Sequence, residues 1–229
     1  MPLQKYYQDS PTNEIGVDEA GRGPLFGRVY TGAVILPKDD TFEHNEMKDS
    51  KKFYSINKIN CIAEYIKSNA IAWSVTYVDA DIIDKINIRQ ATLQSMHNAI
   101  KNVMEQMNAK NKNNLPYHLL IDGSDFKPFM KFDGTVSRQI PHECIVGGDN
   151  TYTAIAAASI LAKTERDKYI ADICEKHPLL STVYGIDKHK GYGCKKHMEA
   201  IKEHGISQWH RKSYRPCNVS KPNEDLHNI

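Results

Sequence analysis

Two carboxylates stand side by side at Asp18 and Glu19, between the apolar stretch Ile15-Gly16-Val17 and the turn-forming stretch Ala20-Gly21-Arg22-Gly23-Pro24. Hard oxygen donors at adjacent positions suit a divalent cation such as Mg2+ or Mn2+. Glycines on both sides of an arginine let main chain approach a ligand closely, and the guanidinium offers a planar fork for phosphate. The combination points to metal-dependent chemistry on a phosphodiester. Two further acids follow the same plan. Asp122 comes after the apolar run 117–121 and before Gly123, and Asp149 comes after the run 143–146 and Gly147-Gly148. Sites in open α/β sheets gather at strand ends. If these runs are neighbouring strands, Asp18, Glu19, Asp122 and Asp149 converge at one rim. Four carboxylates there would repel one another without a cation. Two Mg2+ or Mn2+ ions about 4 Å apart would neutralise them and clamp a scissile phosphate. Adjacent strand residues point to opposite faces, so Asp18 and Glu19 share a site only if the strand bends at Glu19. Taken singly, each acid is as well read as a strand-end residue, and Asp149 as the cap of the helix that follows.

The elements that would carry these acids can be read from periodicity. Strands are expected at residues 15–18, 28–36, 70–78, 117–121 and 143–146. Helices are expected at 55–67, 88–107, 151–174 and 195–203, the last stopped by Gly205. Within them, Ile59, Ile62 and Ile66, then Leu93, Met96, Ile100, Val103 and Met107, lie at helical spacing. Strands alternating with helices imply an α/β domain with a mixed sheet flanked by helices. The tail after Cys217 is polar and expected to fray.

The 229 residues carry a formal charge of only +2, but it is unevenly spread. Residues 185–217 hold 8 Lys+Arg against 3 Asp+Glu, whereas residues 1–184 hold 21 against 23. A basic segment beside an acidic body suits a phosphate-backbone binder, although a solvated basic helix gives the same pattern. The expected organisation is a catalytic domain over 1–184, a small basic helical extension over 185–217 and a polar tail over 218–229. Five scattered cysteines without a CxxC fit free thiols in a reducing, cytoplasmic setting. No apolar run reaches the ~20 residues of a membrane span. Cys194 and His197 have ligand-like spacing, but His204, His210 and Cys217 follow irregularly, so zinc is not expected. No phosphate-binding P-loop or GxGxxG is present.

Taken in order along the chain, these words resemble the ribonuclease HII family, the type 2 ribonucleases H. The resemblance rests on Gly16-Val17-Asp18-Glu19-Ala20-Gly21-Arg22-Gly23-Pro24, Asp49-Ser50-Lys51-Lys52, Ile86-Asn87-Ile88-Arg89-Gln90-Ala91-Thr92 and Ile121-Asp122-Gly123. It continues through Ala156-Ala157-Ala158-Ser159-Ile160-Leu161-Ala162-Lys163 with Arg166-Asp167, Gly191-Tyr192-Gly193 with His197, and His210-Arg211-Lys212-Ser213-Tyr214, so that it spans residues 14–215. It implies a ribonuclease H-like fold with a C-terminal helical extension. It implies endonucleolytic cleavage of RNA in RNA–DNA hybrids and of ribonucleotides embedded in duplex DNA, leaving 3′-hydroxyl and 5′-phosphate ends. By the same resemblance Asp18, Glu19, Asp122 and Asp149 hold two metal ions. Gly21, Arg22 and Gly23 with Tyr192 read the ribose 2′-hydroxyl, and Lys51, Lys163 and Arg166 lie near phosphates. Gly147 stands where the family usually has lysine, Asn150 where it has a small residue, and Arg28 where proline is common.

Other readings of the same residues differ in class. A non-catalytic hybrid-binding subunit on this fold would gain nothing from a cluster of repelling acids. The sister ribonuclease HIII class carries an extra N-terminal domain, for which the residues ahead of the first strand leave no room. A resolvase-type nuclease would share the acids but not the Gly-Arg-Gly and Tyr192 pair. The expected partner is therefore a hybrid or ribonucleotide-containing duplex, bound by a monomer away from any membrane.

Overall fold

A computed structural model describes residues 2–50, 53, 55–110, 115–132 and 134–227. A five-stranded mixed sheet is built from β1 (Asn13–Ala20), β2 (Val29–Ile35), β3 (Ala72–Val78), β4 (Tyr117–Asp122) and, later in the chain, the short strand His142–Ile145. Between the last two lies a two-stranded hairpin of β5 (Met130–Phe132) and β6 (Ser137–Gln139), so His142–Ile145 is β7. The sheet order is β3-β2-β1-β4-β7. β1 runs antiparallel to β2 and parallel to β4, and β4 runs parallel to β7. The helices are α1 (Ile56–Asn69), α2 (Ala80–Ala109), α3 (Thr153–Lys176), α4 (Leu179–Thr182), α5 (Ile186–His189), α6 (Lys195–His204) and α7 (Glu224–His227). Among the described residues no helix is long and apolar enough to cross a membrane.

The chain forms two compact units. The first comprises residues 1–20, 30–76 and 93–164, and holds most of the sheet. Strand alternation divides its residues between two cores. Ile15, Val17, Ala33, Leu119 and Ile121 pack with Leu93, Met96, Ile100 and Val103 of α2. On the other face, Val34 and Leu36 pack with Ile59, Ile62 and Ile66 of α1 and with the alanine-rich start of α3. α3 lies directly on the strands. A Cβ on Gly16 would come within 2.2 Å of the Ala154 main chain, and one on Gly32 within 2.3 Å of Ala158. Only glycine permits that approach. The Ser55 side chain accepts from the Lys58 amide and starts α1, as a cap should.

The second unit comprises residues 21–29, 77–92 and 165–229, so the expected boundary near residue 184 falls inside it. Its core joins Leu25 and Phe26 to Ile170, Leu180, Tyr184, Ile186, Ile201 and Ile206. α2 begins eight residues before the expected Ile88. The helix is broken at Asn87, whose φ of 67° no helix tolerates, and the Asn87 side chain accepts from the Gln90 amide to start the helix again. Residues 218–226 do not fray as expected. Leu226 is buried in the second unit's core, and Ile206 pairs with Lys221 and Asn223 through main-chain bonds of 2.8 Å.

Candidate active site

In the first unit, β1 and β4 pair in register up to Val17 and Ile121, which sets Asp18 and Asp122 next to each other at the ends of the paired segment. Asp18 is buried, on the same strand face as Gly16, with Gly32 opposite it on β2. Its carboxyl accepts from the Glu19 amide at 2.7 Å. Burial holds its pKa well above the usual carboxylate range. The charges of Glu19 and then Asp122 push the same way, and hydrogen bonds from Ser159 and the Glu19 amide oppose them. Pairing with β2 continues through Glu19 and Ala20, so β1 runs on past both acids. Asp122 accepts from the Gly148 amide at 2.7 Å, which fixes the turn bearing Asp149 beside it.

Several polar groups that periodicity does not reveal support these acids. The Ser50 and Ser159 hydroxyls meet at 3.0 Å, which ties the Asp49-Ser50 segment to the group that bonds Asp18. The Asn150 amide donates to Asp149 at 3.0 Å and to Asp49 at 3.4 Å. One neutral side chain thus stands between two buried carboxylates and eases their repulsion. Gly147 has a φ of 68°, in the region that favours glycine, with open space where a side chain would go. Among the described residues, no three acidic, histidine or cysteine side chains are drawn together as a ready cage for an ion.

In the second unit, residues 21–27 form a loop with its carbonyls turned inward. Gly21 is buried with a φ of 95°, whereas Arg22 and Gly23 are exposed. A Cβ on Gly21 would strike the Arg166 side chain at 2.3 Å, and one on Gly23 would touch the Tyr192 ring at 3.6 Å. Gly23 and Tyr192 are therefore neighbours, and the Tyr192 side chain, 52% exposed, offers a ring to solvent.

The expected phosphate contacts divide three ways. Lys51 lies outside the described residues. Lys163 is half-buried on α3. Arg166 is only 2% exposed and is turned to main chain, donating to Lys190 O at 2.9 Å, Phe26 O at 3.3 Å and Arg28 O at 3.4 Å. A guanidinium that donates to three carbonyls inside the fold is a support for the loop. His197 and His210 bond each other at 3.0 Å inside the second unit.

The model of the family described as Ribonuclease HII matches residues 15–217. The chain belongs to the ribonuclease HII family. Ribonucleases HII are metal-dependent nucleases that cleave RNA in RNA–DNA hybrids. A ribonuclease HII of Parabacteroides distasonis is 43% identical over 208 residues, covering 91% of this chain and 92% of its own length. That of Porphyromonas gingivalis is 42% identical over 215 residues, covering 94% of each. Among solved structures, the ribonuclease H2 from Pyrococcus horikoshii OT3 matches with a TM-score of 0.68 at 19% identity, over 91% of this chain and 96% of that one. Bst-RNase HIII, solved in complex with Mn2+, matches at 0.63 with 18% identity, over 92% and 70%. At such identities the likeness speaks for the fold, a mixed sheet flanked by helices.

Proposed function

We propose that this member of the ribonuclease HII family is an endonuclease for RNA–DNA hybrids and for single ribonucleotides within duplex DNA, acting as a cytoplasmic monomer in replication and repair. It would cut on the 5′ side of the ribonucleotide and leave 3′-hydroxyl and 5′-phosphate ends. The observation that carries the reading is Asp18, a buried carboxyl flanked by the like charges of Glu19 and Asp122. A fold that keeps such a group gains from it only if a cation relieves the repulsion.

The residues fit divalent metal. The donors are hard carboxylate oxygens, and a cation among them would offset the Glu19 and Asp122 charges that act on Asp18. Asp18, Glu19, Asp122 and Asp149 would hold two Mg2+ or Mn2+ ions. Metal bound there supplies an activated water and stabilises charge on the leaving 3′-oxygen. The protein's own part is positioning. Ser159 and the Glu19 amide hold Asp18, and the Gly148 amide holds Asp122. Gly21, Arg22 and Gly23 would meet the 2′-hydroxyl with main chain. Tyr192 would stack on the adjacent sugar or base. Lys51, Lys163 and Arg166 would lie near phosphates, with Arg166 also holding the loop.

The test is a duplex carrying one ribonucleotide, incubated with Mg2+ or Mn2+ and wild type, Asp18→Asn or Tyr192→Ala. Cleavage 5′ to the ribonucleotide, lost in Asp18→Asn and strongly reduced in Tyr192→Ala, is the expected result. Binding without cleavage of this duplex or a long hybrid, with either metal, would replace the nuclease by a hybrid-binding subunit.

A further inference from the structure

Arg211 is fully buried, and its guanidinium is spent on one loop. It donates to Gly21 O at 2.6 Å, Arg22 O at 2.9 Å, Pro24 O at 2.8 Å and Gly27 O at 2.9 Å. The Tyr214 hydroxyl adds a second bond to Arg22 O at 2.9 Å. These peptides are trans. With the carbonyls of Gly21 and Arg22 turned to Arg211, the amide N–H groups of Arg22 and Gly23 are turned the opposite way. Burial lowers the Arg211 pKa to about 10, so it stays charged at neutral pH. A planar fork with five donors can hold several carbonyls at once, and an ammonium cannot span them.

The residue before it is equally committed. The Ser207 amide donates to His210 Nδ1 at 3.0 Å, so the His210 proton sits on Nε2. That Nε2 meets His197 Nε2 at 3.0 Å, and His197 Nδ1 meets Tyr192 O at 2.9 Å. A single proton arrangement satisfies the chain: His210 Nε2–H donates to His197, and His197 Nδ1–H donates to the Tyr192 carbonyl. Both rings are buried. Desolvation lowers His197 to about 4, and desolvation together with His197 lowers His210 to about 3, so both are neutral at working pH.

We propose that His210-Arg211 is the positioning element of the ribose-reading residues: Arg211 sets the main chain of residues 21–27, and His210, through His197, sets the main chain of Tyr192. The inference rests on the reading that Gly21, Arg22, Gly23 and Tyr192 recognise the 2′-hydroxyl. Two loops far apart in sequence are thereby fixed by adjacent residues, and recognition depends on the geometry of both.

The test uses the full chain, Mg2+, a single-ribonucleotide duplex as substrate and the matching all-DNA duplex as competitor. Arg211→Lys is expected to lower kcat/KM by about tenfold or more, with the inhibition constant of the all-DNA duplex within about twofold of wild type. His197→Ala should show a similar loss, and His197→Asn should recover most of it, because the Asn amide can replace the Nδ1–H donor to Tyr192. A merely structural role would weaken both duplexes together and give no difference between Ala and Asn. That pattern, or unchanged kcat/KM in Arg211→Lys, overturns the inference. If Arg211→Lys fails to fold by circular dichroism, the His197 pair decides alone. If Tyr192→Ala cleaves like wild type, the ribose reading itself fails, and the inference falls with it. If Tyr192→Ala is impaired while the Arg211 and His197 variants are not, only the inference fails.

Discussion

At the acidic rim of the first unit, a buried carboxyl sits beside two half-buried ones; in the glycine loop of the second unit, a buried guanidinium has only acceptors as hydrogen-bond partners. Burial, and then the charges of Glu19 and Asp122, hold the Asp18 pKa well above the usual carboxylate range. Arg211 faces four carbonyls and a phenol, and no like charge is among its hydrogen-bond partners. On the proposed reading the first arrangement takes a cation from solution, and the second is complete as folded. The proposed nuclease, which would bind metal at one place and read a single hydroxyl at the other, has use for both conditions: loose where the ion would enter, rigid where shape would be read.

The largest effect should come from the incomplete side. Asp18→Asn is expected to reduce cleavage on the order of 10³-fold, and to raise the melting temperature of metal-free protein, because a buried carboxyl beside two others is replaced by a neutral isostere. Activity assays with and without metal, paired with thermal denaturation, check both signs. A fall in metal-free stability would show that Asp18 is not under repulsion.

On the complete side the problem is shape. Gly21→Ala puts a methyl against Arg166 at a φ that only glycine accepts. Cleavage should fall by about 10²-fold, with the metal dependence of the remaining activity unchanged. A shifted metal requirement in that variant would mean that the two functions are not separable.

Acid should act on the second unit through its histidines. His197 and His210 titrate at about 4 and about 3 when folded and near 6.5 when unfolded. Between those values the unfolded chain holds the extra protons. Stability contributed by the neutral pair is therefore full above about pH 6.5 and is lost as pH falls towards 4. Denaturant titrations across that range should show a decline of a few kcal/mol, which His197→Asn should reduce.

The smallest change concerns the turn that bears Asp149. Gly147→Lys has space but a left-handed backbone, so about 1 kcal/mol of stability should be lost. The new cation near Asp149 should tighten binding of a phosphate backbone by a few-fold, measurable by fluorescence anisotropy.

The proposed metal-binding acids stand out in the sequence because each follows an apolar run, and a run of that kind has a visible length and stop. The same logic located β1, β4, α1 and α3. The start of α2 was hidden because Asn87 breaks the periodicity that identifies a helix. β5 and β6 were missed because three-residue strands with Met130 and Phe132 exposed carry no inward alternation. Arg211 and the inward turn of Arg166 could not be read, because their partners are backbone carbonyls, which every residue owns. His210 and His197 were visible as residues, but their pairing joins positions with no shared periodicity. Asn150 looked like a departure from pattern; the fold shows it spanning Asp49 and Asp149.

The most direct experiment titrates Mn2+ into metal-free protein and follows the melting temperature and the cleavage of a single-ribonucleotide duplex over the same concentrations. The expected result is that both rise together in wild type, since a ligand that binds the folded state stabilises it, and that neither rises in Asp18→Asn. Cleavage in chelator, or an equal thermal shift in Asp18→Asn, would contradict a metal centre built on Asp18, Glu19, Asp122 and Asp149.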